Sequence, residues 1–393
     1  MPFVPAHRVA TFGATIFSHM SKLALELKAV NLGQGFPDFD GPEVIKEAAQ
    51  AAMHAGQNQY AVGIGQPALR QAVAAHAQRF YQQTFNPETE ITITSGATEA
   101  LFAAIQGLVN PGDEVILIEP CYDAYAPDVQ MAGGVPRPIT LRPTPLAETI
   151  EWRWDEAELR AAFNNRTRLI ILNTPHNPTG KVFSRAELAL IAELCQQWNV
   201  IAITDEVYEH LTFDQTPHVR LATLPGMAER TLTLSSLGKT FSFTGWKIGW
   251  SLGPPDLTNA VRGAHQWMTF STATPLQAAG VAALNLEDEF FTSFAREFQQ
   301  KRDFMLGVLR AAGLQVSVPR GTYFIMADFS PLNFQGDDIA FAEWLIRQVG
   351  VAVIPPSVFY SAANKPLARH WARFAFCKKQ ETLEQAAERL RRL

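Results

Sequence analysis

The sequence predicts an α/β protein: a mainly parallel central sheet with helices on both faces, joined to a smaller α+β domain. Three observations carry this expectation. Short β-branched runs in the middle of the chain end in polar or turn residues and alternate with helix-like segments. Those runs are apolar throughout rather than alternating, as strands covered on both faces are. The C-terminal quarter mixes long helix patterns and strands in a different rhythm.

Taken in order, ITITSG (91–96) is the first such run, and ATEALFAAIQGLV (97–109) follows it with helical spacing. EVILIEP (114–120) and LIILNTP (169–175) come next. SRAELALIAELCQQW (184–198) opens with Ser184 as an N-cap and Glu187 three residues later, a capping box. VIAITDE (200–206) and TLTLSS (231–236) complete the set. A polar helix pattern over 287–312 then precedes GTYFIMADF (321–329). Another near 338–349 precedes VAVIPPSVF (351–359) and ARFAFCK (372–378), and EQAAERLRRL (384–393) closes the chain as a helix. The expected division is an N-terminal arm and part of the small domain at 1–45, a large domain at 46–290, and a C-terminal small domain at 291–393.

Composition narrows the class. The 393 residues suffice for one large core and a smaller one, and 47% hydrophobic with 18% charged residues is globular rather than disordered. A net charge of −5 argues against a nucleic-acid partner. Cys121, Cys195 and Cys377 are widely spaced, forming neither a metal pair nor a disulfide framework. No secretory leader or membrane span is evident, so a cytoplasmic protein is the expectation.

In parallel sheets ligands gather at the carboxyl ends of the strands. After the first run comes Ser95-Gly96-Ala97-Thr98 at a helix start. That is either an ordinary strand–helix turn or a phosphate cup, because small residues and the helix dipole favour an anion there. Asp205 ends a buried run; it is either an N-cap or the partner of a cation or proton donor. Asn177 lies in a proline-rich turn and can present an amide. Lys239 follows Gly238 and precedes Thr240, but Thr233 stands where a P-loop needs glycine. The dinucleotide-like Gly63-Ile64-Gly65 follows no apolar strand and is rejected. A phosphate at 95–98, a carboxylate at 205 and an amine at 239 together suit pyridoxal 5'-phosphate. That cofactor offers a phosphate, a basic ring nitrogen and an aldehyde.

The ordered motifs NLGQGFPDFDGP (31–42), NQYAVGIGQPALR (58–70), SGATEAL (95–101), NTPHNPTGKVF (173–183), TDEVYEHL (204–211), SSLGKTFSFTGWKIGW (235–250) and ARFAFCKK (372–379) span nearly the whole chain. The chain resembles a fold-type I, class I aminotransferase dependent on pyridoxal phosphate, closest to the bacterial methionine and kynurenine aminotransferase branch. The resemblance implies that Lys239 forms the Schiff base and acts as general base. Asp205 would hold the pyridine nitrogen protonated, and Tyr208 and Asn177 would bond the phenolic oxygen. Ala97, Thr98, Ser236 and Lys247 would form the phosphate cup, with Tyr60 reaching the phosphate of a neighbouring subunit. Tyr122 would stack on the ring. Arg373 would clamp the substrate carboxylate with Asn177 and the backbone of Gly35, Arg369 being a rival on the surface.

Phe17, and Phe270 from the partner subunit, would line the side-chain pocket. The implied function is a ping-pong transaminase moving the amino group of methionine or aromatic amino acids to a 2-oxo acid, working as a homodimer with shared sites. The alternative is a cysteine-S-conjugate β-lyase using the same site. An aminotransferase-like transcription regulator ranks lower, since the chain begins almost at once with the aminotransferase arm.

Overall fold

Seven strands form the central sheet: β1 (Ile91–Thr94), β2 (Glu114–Glu119), β3 (Val135–Thr140), β4 (Thr167–Asn173), β5 (Ile201–Asp205), β6 (Thr231–Ser236) and β7 (Gly249–Leu252). The structure, a computed structural model, describes residues 4–10, 12–13, 15–146 and 149–393. The N-terminal stretch inspected for a leader therefore lies partly outside the described residues. The spatial order is β1-β7-β6-β5-β4-β2-β3. Only β7 runs against the rest.

Pleating explains the continuous apolar runs. Along β4, Leu169 and Ile171 pack on one face with α1 (Gly96–Leu108). Ile170 and Leu172 pack on the other with α2 (Arg185–Trp198). The first face also receives α3 (Pro255–Met268), which lies along α1. The capping box at Ser184 and Glu187 starts α2 as expected. Removing one fully buried chain here, as in Ile171→Ala, costs about 2–5 kcal/mol.

Two strands of the central sheet escaped the sequence reading. β3 is VPRPIT, whose prolines cannot donate to a ladder; it survives because it lies at the sheet edge. β7 is the four-residue GWSL, too short for a pattern. VAVIPPSVF was expected as one strand, yet only Val351–Ala352 forms a ladder, with Ile354 making an isolated bridge to Arg373. Pro355 and Pro356 lack N–H groups, and Pro356–Phe359 turns as a 3-10 segment.

A second core joins residues near the N-terminus, such as Met20 and Leu32, to the C-terminal part of the chain. Its long helix α4 (Asp288–Ala311) packs beside an antiparallel sheet of β8 (Gln315–Val316), β9 (Phe324–Asp328) and β10 (Trp371–Ala375). Val30–Asn31 pairs in parallel with Val351–Ala352, tying the N-terminal segment in. The carboxyl ends of β1, β2, β4, β5 and β6 share one edge of the large sheet. Because β7 is reversed, its beginning, next to Lys247, lies at that same edge.

Candidate active site

A cavity of about 380 Å³ opens where the strand ends meet β9 and β10. All the predicted site residues line it except Tyr60 and Phe270. Those two pack edge-on against each other, ring centroids 5.3 Å apart, with Tyr60 84% exposed. Arg369 is exposed, as expected.

One end of the cavity is an anion cradle. Gly96 sits at φ +80°, and an added Cβ would press on Lys247 Cε at 3.3 Å. A Cβ on Gly249 would meet the Gly96 carbonyl carbon at 2.5 Å, so strand β7 closes on this turn without room for a side chain. Lys247 Nζ donates to Thr98 Oγ1 at 3.4 Å. Ser236 caps the short helix Leu237–Thr240, its Oγ accepting from Gly238 N.

The floor is Asp205, at the end of β5. Its Oδ2 accepts from Tyr125 Oη at 2.7 Å and its Oδ1 from Val207 N at 3.4 Å. Burial raises its pKa, against the pull of those bonds and of the Lys239 charge. Lys239 Nζ faces the same space, donating only to Gly35 O at 3.2 Å. It hovers 5.8 Å from the ring centres of Tyr208 and Tyr323. Burial lowers its pKa to about 8; Arg373 and Lys247 add to the lowering, while Asp205 opposes it. An amine in that range can exist neutral at working pH, which nucleophilic or basic chemistry requires.

The far end is built around Arg373. Its Nη1 donates to Asn177 Oδ1 at 2.9 Å and its Nη2 to Gly33 O at 3.0 Å. Its Nε is buried without a hydrogen-bond partner among the described residues. Phe324 lies 4.1 Å from the guanidinium, with Phe359 at 4.9 Å and Phe17 at 5.5 Å. Burial lowers its pKa to about 10. A guanidinium enclosed by rings and holding a spare donor is arranged for a carboxylate. Tyr122 also lines the cavity and bonds Thr98; burial raises its pKa to about 12.

Sequence reasoning missed Tyr125, Tyr323 and Phe324. Tyr323 Oη donates to Gly35 O at 2.6 Å, and its ring stands edge-on to Tyr208. The second tyrosine of EPCYDAY and the aromatic pair of GTYF were the available signals.

The sequence profile of aminotransferase class I and II matches residues 28–390. The chain belongs to this aminotransferase family. This aminotransferase is 42% identical to a kynurenine–oxoglutarate transaminase of Dictyostelium discoideum, covering 100% of this chain and 97% of that one. It is 41% identical to a methionine aminotransferase of Escherichia coli, covering 100% and 99%. Among solved structures it superposes on an N-succinyldiaminopimelate aminotransferase of Mycobacterium tuberculosis with a TM-score of 0.94 at 45% identity, covering 98% of this chain and 99% of that one.

Proposed function

We propose that this aminotransferase holds pyridoxal 5'-phosphate in the cavity and acts on methionine or aromatic amino acids, passing the amino group to a 2-oxo acid. One observation carries the reading: a buried amine with a depressed pKa, Lys239, lies between a carboxylate floor and a carboxylate-seeking arginine. The residues fit the cofactor. The glycine-walled cradle with Lys247 and Thr98 suits its phosphate, and Asp205 retains acceptor capacity for a protonated ring nitrogen. When bound, the cofactor supplies an electron-poor ring that stabilises negative charge developing at the amino-acid Cα.

Lys239 would act as the base that moves the proton from the amino-acid Cα to the cofactor side, the transfer that leaves the amino group behind. Asp205, itself oriented by Tyr125, would keep the ring nitrogen protonated. Tyr208 and Asn177 would bond the phenolic oxygen, and Tyr122 would stack on the ring. Arg373, with Asn177 and the backbone of Gly35, fixes the substrate carboxylate. Ala97, Thr98 and Ser236 complete the phosphate cup. The preference for uncharged side chains rests on what remains of the lining: Phe17, Phe36, Phe243 and Phe324, with Asp123. An acidic side chain would meet Asp123 and no cation among the described lining residues beyond Lys239, Lys247 and Arg373, each already engaged. The β-lyase alternative draws no support from the relatives.

A homodimer is part of the proposal. Tyr60, Val62, Trp267 and Met268 are exposed apolar residues around Phe270. A second copy covering them would bring Tyr60 to its neighbour's phosphate and Phe270 to its neighbour's pocket. An N-terminal arm and part of the small domain at 1–45, a large domain at 46–290 and a small domain at 291–393 are in keeping with the second core, which draws on both chain ends and also takes in Val207, Tyr208, Leu211 and Phe213. Three buried free cysteines support a reducing, cytoplasmic setting. The test is a half-reaction screen of the loaded protein against single amino acids, followed by cofactor absorbance. Methionine, phenylalanine and kynurenine are expected to react faster than aspartate or N-succinyldiaminopimelate. The reverse order would overturn the substrate reading.

A further inference from the structure

Behind the anion cradle lies a histidine that none of these roles uses. His265, on α3, is 2% exposed. Its Nδ1 lies 2.7 Å from Glu99 Oε1 and its Nε2 lies 2.7 Å from the carbonyl oxygen of Gly63. A neutral imidazole carries one N–H. Either tautomer would therefore set a ring lone pair against an oxygen lone pair at hydrogen-bond distance, in a buried place. Two protonation patterns avoid that: a protonated Glu99 with a neutral ring, or a carboxylate with an imidazolium.

Glu99 decides between them. Its other oxygen accepts from Ser95 N, and Thr269 donates to it as well. It also stands in the first turn of α1, where the helix dipole favours negative charge. Burial pushes the Glu99 carboxyl up, but the bonds from His265, Thr269 and Ser95 outweigh it and hold it below its ordinary value. The proton belongs on the ring. Burial pulls His265 down, yet the bond and charge of Glu99 leave it above its ordinary 6.5. Glu99 is the titratable group facing it from α1, and the 60–65 loop presents only the Gly63 carbonyl.

We infer that His265 is a resident imidazolium that positions the phosphate-binding turn, clamping Ser95–Thr98 through Glu99 and the loop carrying Tyr60 through Gly63. The inference rests on the cofactor reading for its consequence, not for its geometry. Ser95 is the shared point: Glu99 holds its N–H, and Thr272 Oγ1 lies 2.5 Å from its hydroxyl. Its neighbour Gly96 has φ +80° and packs against Gly249 of β7 too closely for a side chain there. His265 is a positioning residue; it touches neither cofactor nor substrate.

The sign of the pH effect follows. The clamp is complete below about pH 6.5 and is lost as pH rises through the elevated pKa. Losing one buried hydrogen bond corresponds to about ten-fold. Release of pyridoxal phosphate from the loaded protein should therefore quicken about ten-fold across that titration. His265→Lys keeps a permanent charge opposite Glu99, although one ammonium cannot also span to Gly63, and should release more slowly than His265→Gln without that pH dependence. His265→Gln should release fast at every pH. Glu99→Gln can satisfy Ser95 N and donate to a neutral ring, and should also lose the pH dependence.

Two readouts do not involve the cofactor. Nitrogen-15 NMR should show both His265 ring nitrogens protonated at pH 6. Amide exchange at Gly96–Thr98 should be faster in His265→Gln than in His265→Lys. A singly protonated ring at pH 6, or equal exchange in the two variants, overturns the inference. If the protein takes up no pyridoxal phosphate, the functional reading fails and these two measurements still decide the clamp.

Discussion

One six-residue segment, Asp205 to His210, feeds two regions of opposite design. Asp205 and Tyr208 face the cavity. Glu206, Glu209 and His210 face a buried network behind it. There Arg220 pairs with Glu209 at 2.6 Å and Glu206 at 3.0 Å, His218 meets Glu206 at 2.8 Å, and Ser235 donates to Glu209 at 2.7 Å. His76 and His210 share a hydrogen bond of 2.8 Å between their Nε2 atoms. The network largely pairs its own charges, although Glu206 Oε1, His218 Nδ1 and Arg220 Nε lack hydrogen-bond partners among the described residues. The cavity does not. It sets Lys239, Lys247 and Arg373 in one lining with two aspartates, and each of the three donates to a neutral oxygen rather than to a carboxylate. Charge paired within the fold serves stability; on the proposed reading, the surplus positive charge of the cavity serves a ligand with a phosphate and a carboxylate.

The two regions should break differently. Lys239→Ala is expected to lower transamination by about four orders of magnitude or more, because it removes both the covalent anchor and the base, while Tm barely moves. Asp205→Asn should cost about a thousand-fold in kcat with the cofactor still bound, as seen by absorbance. Arg220→Leu should do the opposite. It strands two buried carboxylates, so stability should fall by about 3–5 kcal/mol in denaturant unfolding. The kcat of the protein that remains folded should stay within about a few-fold of the parent's. Arg373→Lys should lower kcat/KM for amino acids about ten- to a hundred-fold, mostly through KM, since a lysine cannot make the bidentate contact.

The gentlest probe is acid. Burial lowers His76 to about 4 and His176 and His210 to about 3. Their neutral forms stabilise the fold fully above the unfolded value near 6.5. That stability is lost as pH falls toward 4, so Tm should decline through this window. The His76→Gln variant should decline less.

Much of this contrast was legible in the sequence, but unevenly. Asp205, Lys239 and the Ser95–Thr98 turn each end an apolar strand, where a polar residue announces itself. Arg373 was legible because a guanidinium inside WARFAFC needs an anion. Tyr125 and Tyr323 were not, because a tyrosine amid apolar residues looks the same whether it packs or orients a carboxylate. Strand β7 was invisible at four residues, and with it the reason Lys247 reaches the Ser95–Thr98 turn. The imidazolium at His265 was hidden for another cause. Its partners, Gly63 and Glu99, are distant in the chain, and only their convergence fixes its protons.

The account turns on Lys239 as the covalent anchor. Borohydride reduction of the loaded protein, followed by peptide mapping, should leave a pyridoxyl group on Lys239 and on no other lysine. A label on Lys247 or elsewhere, or no label at all, would contradict it.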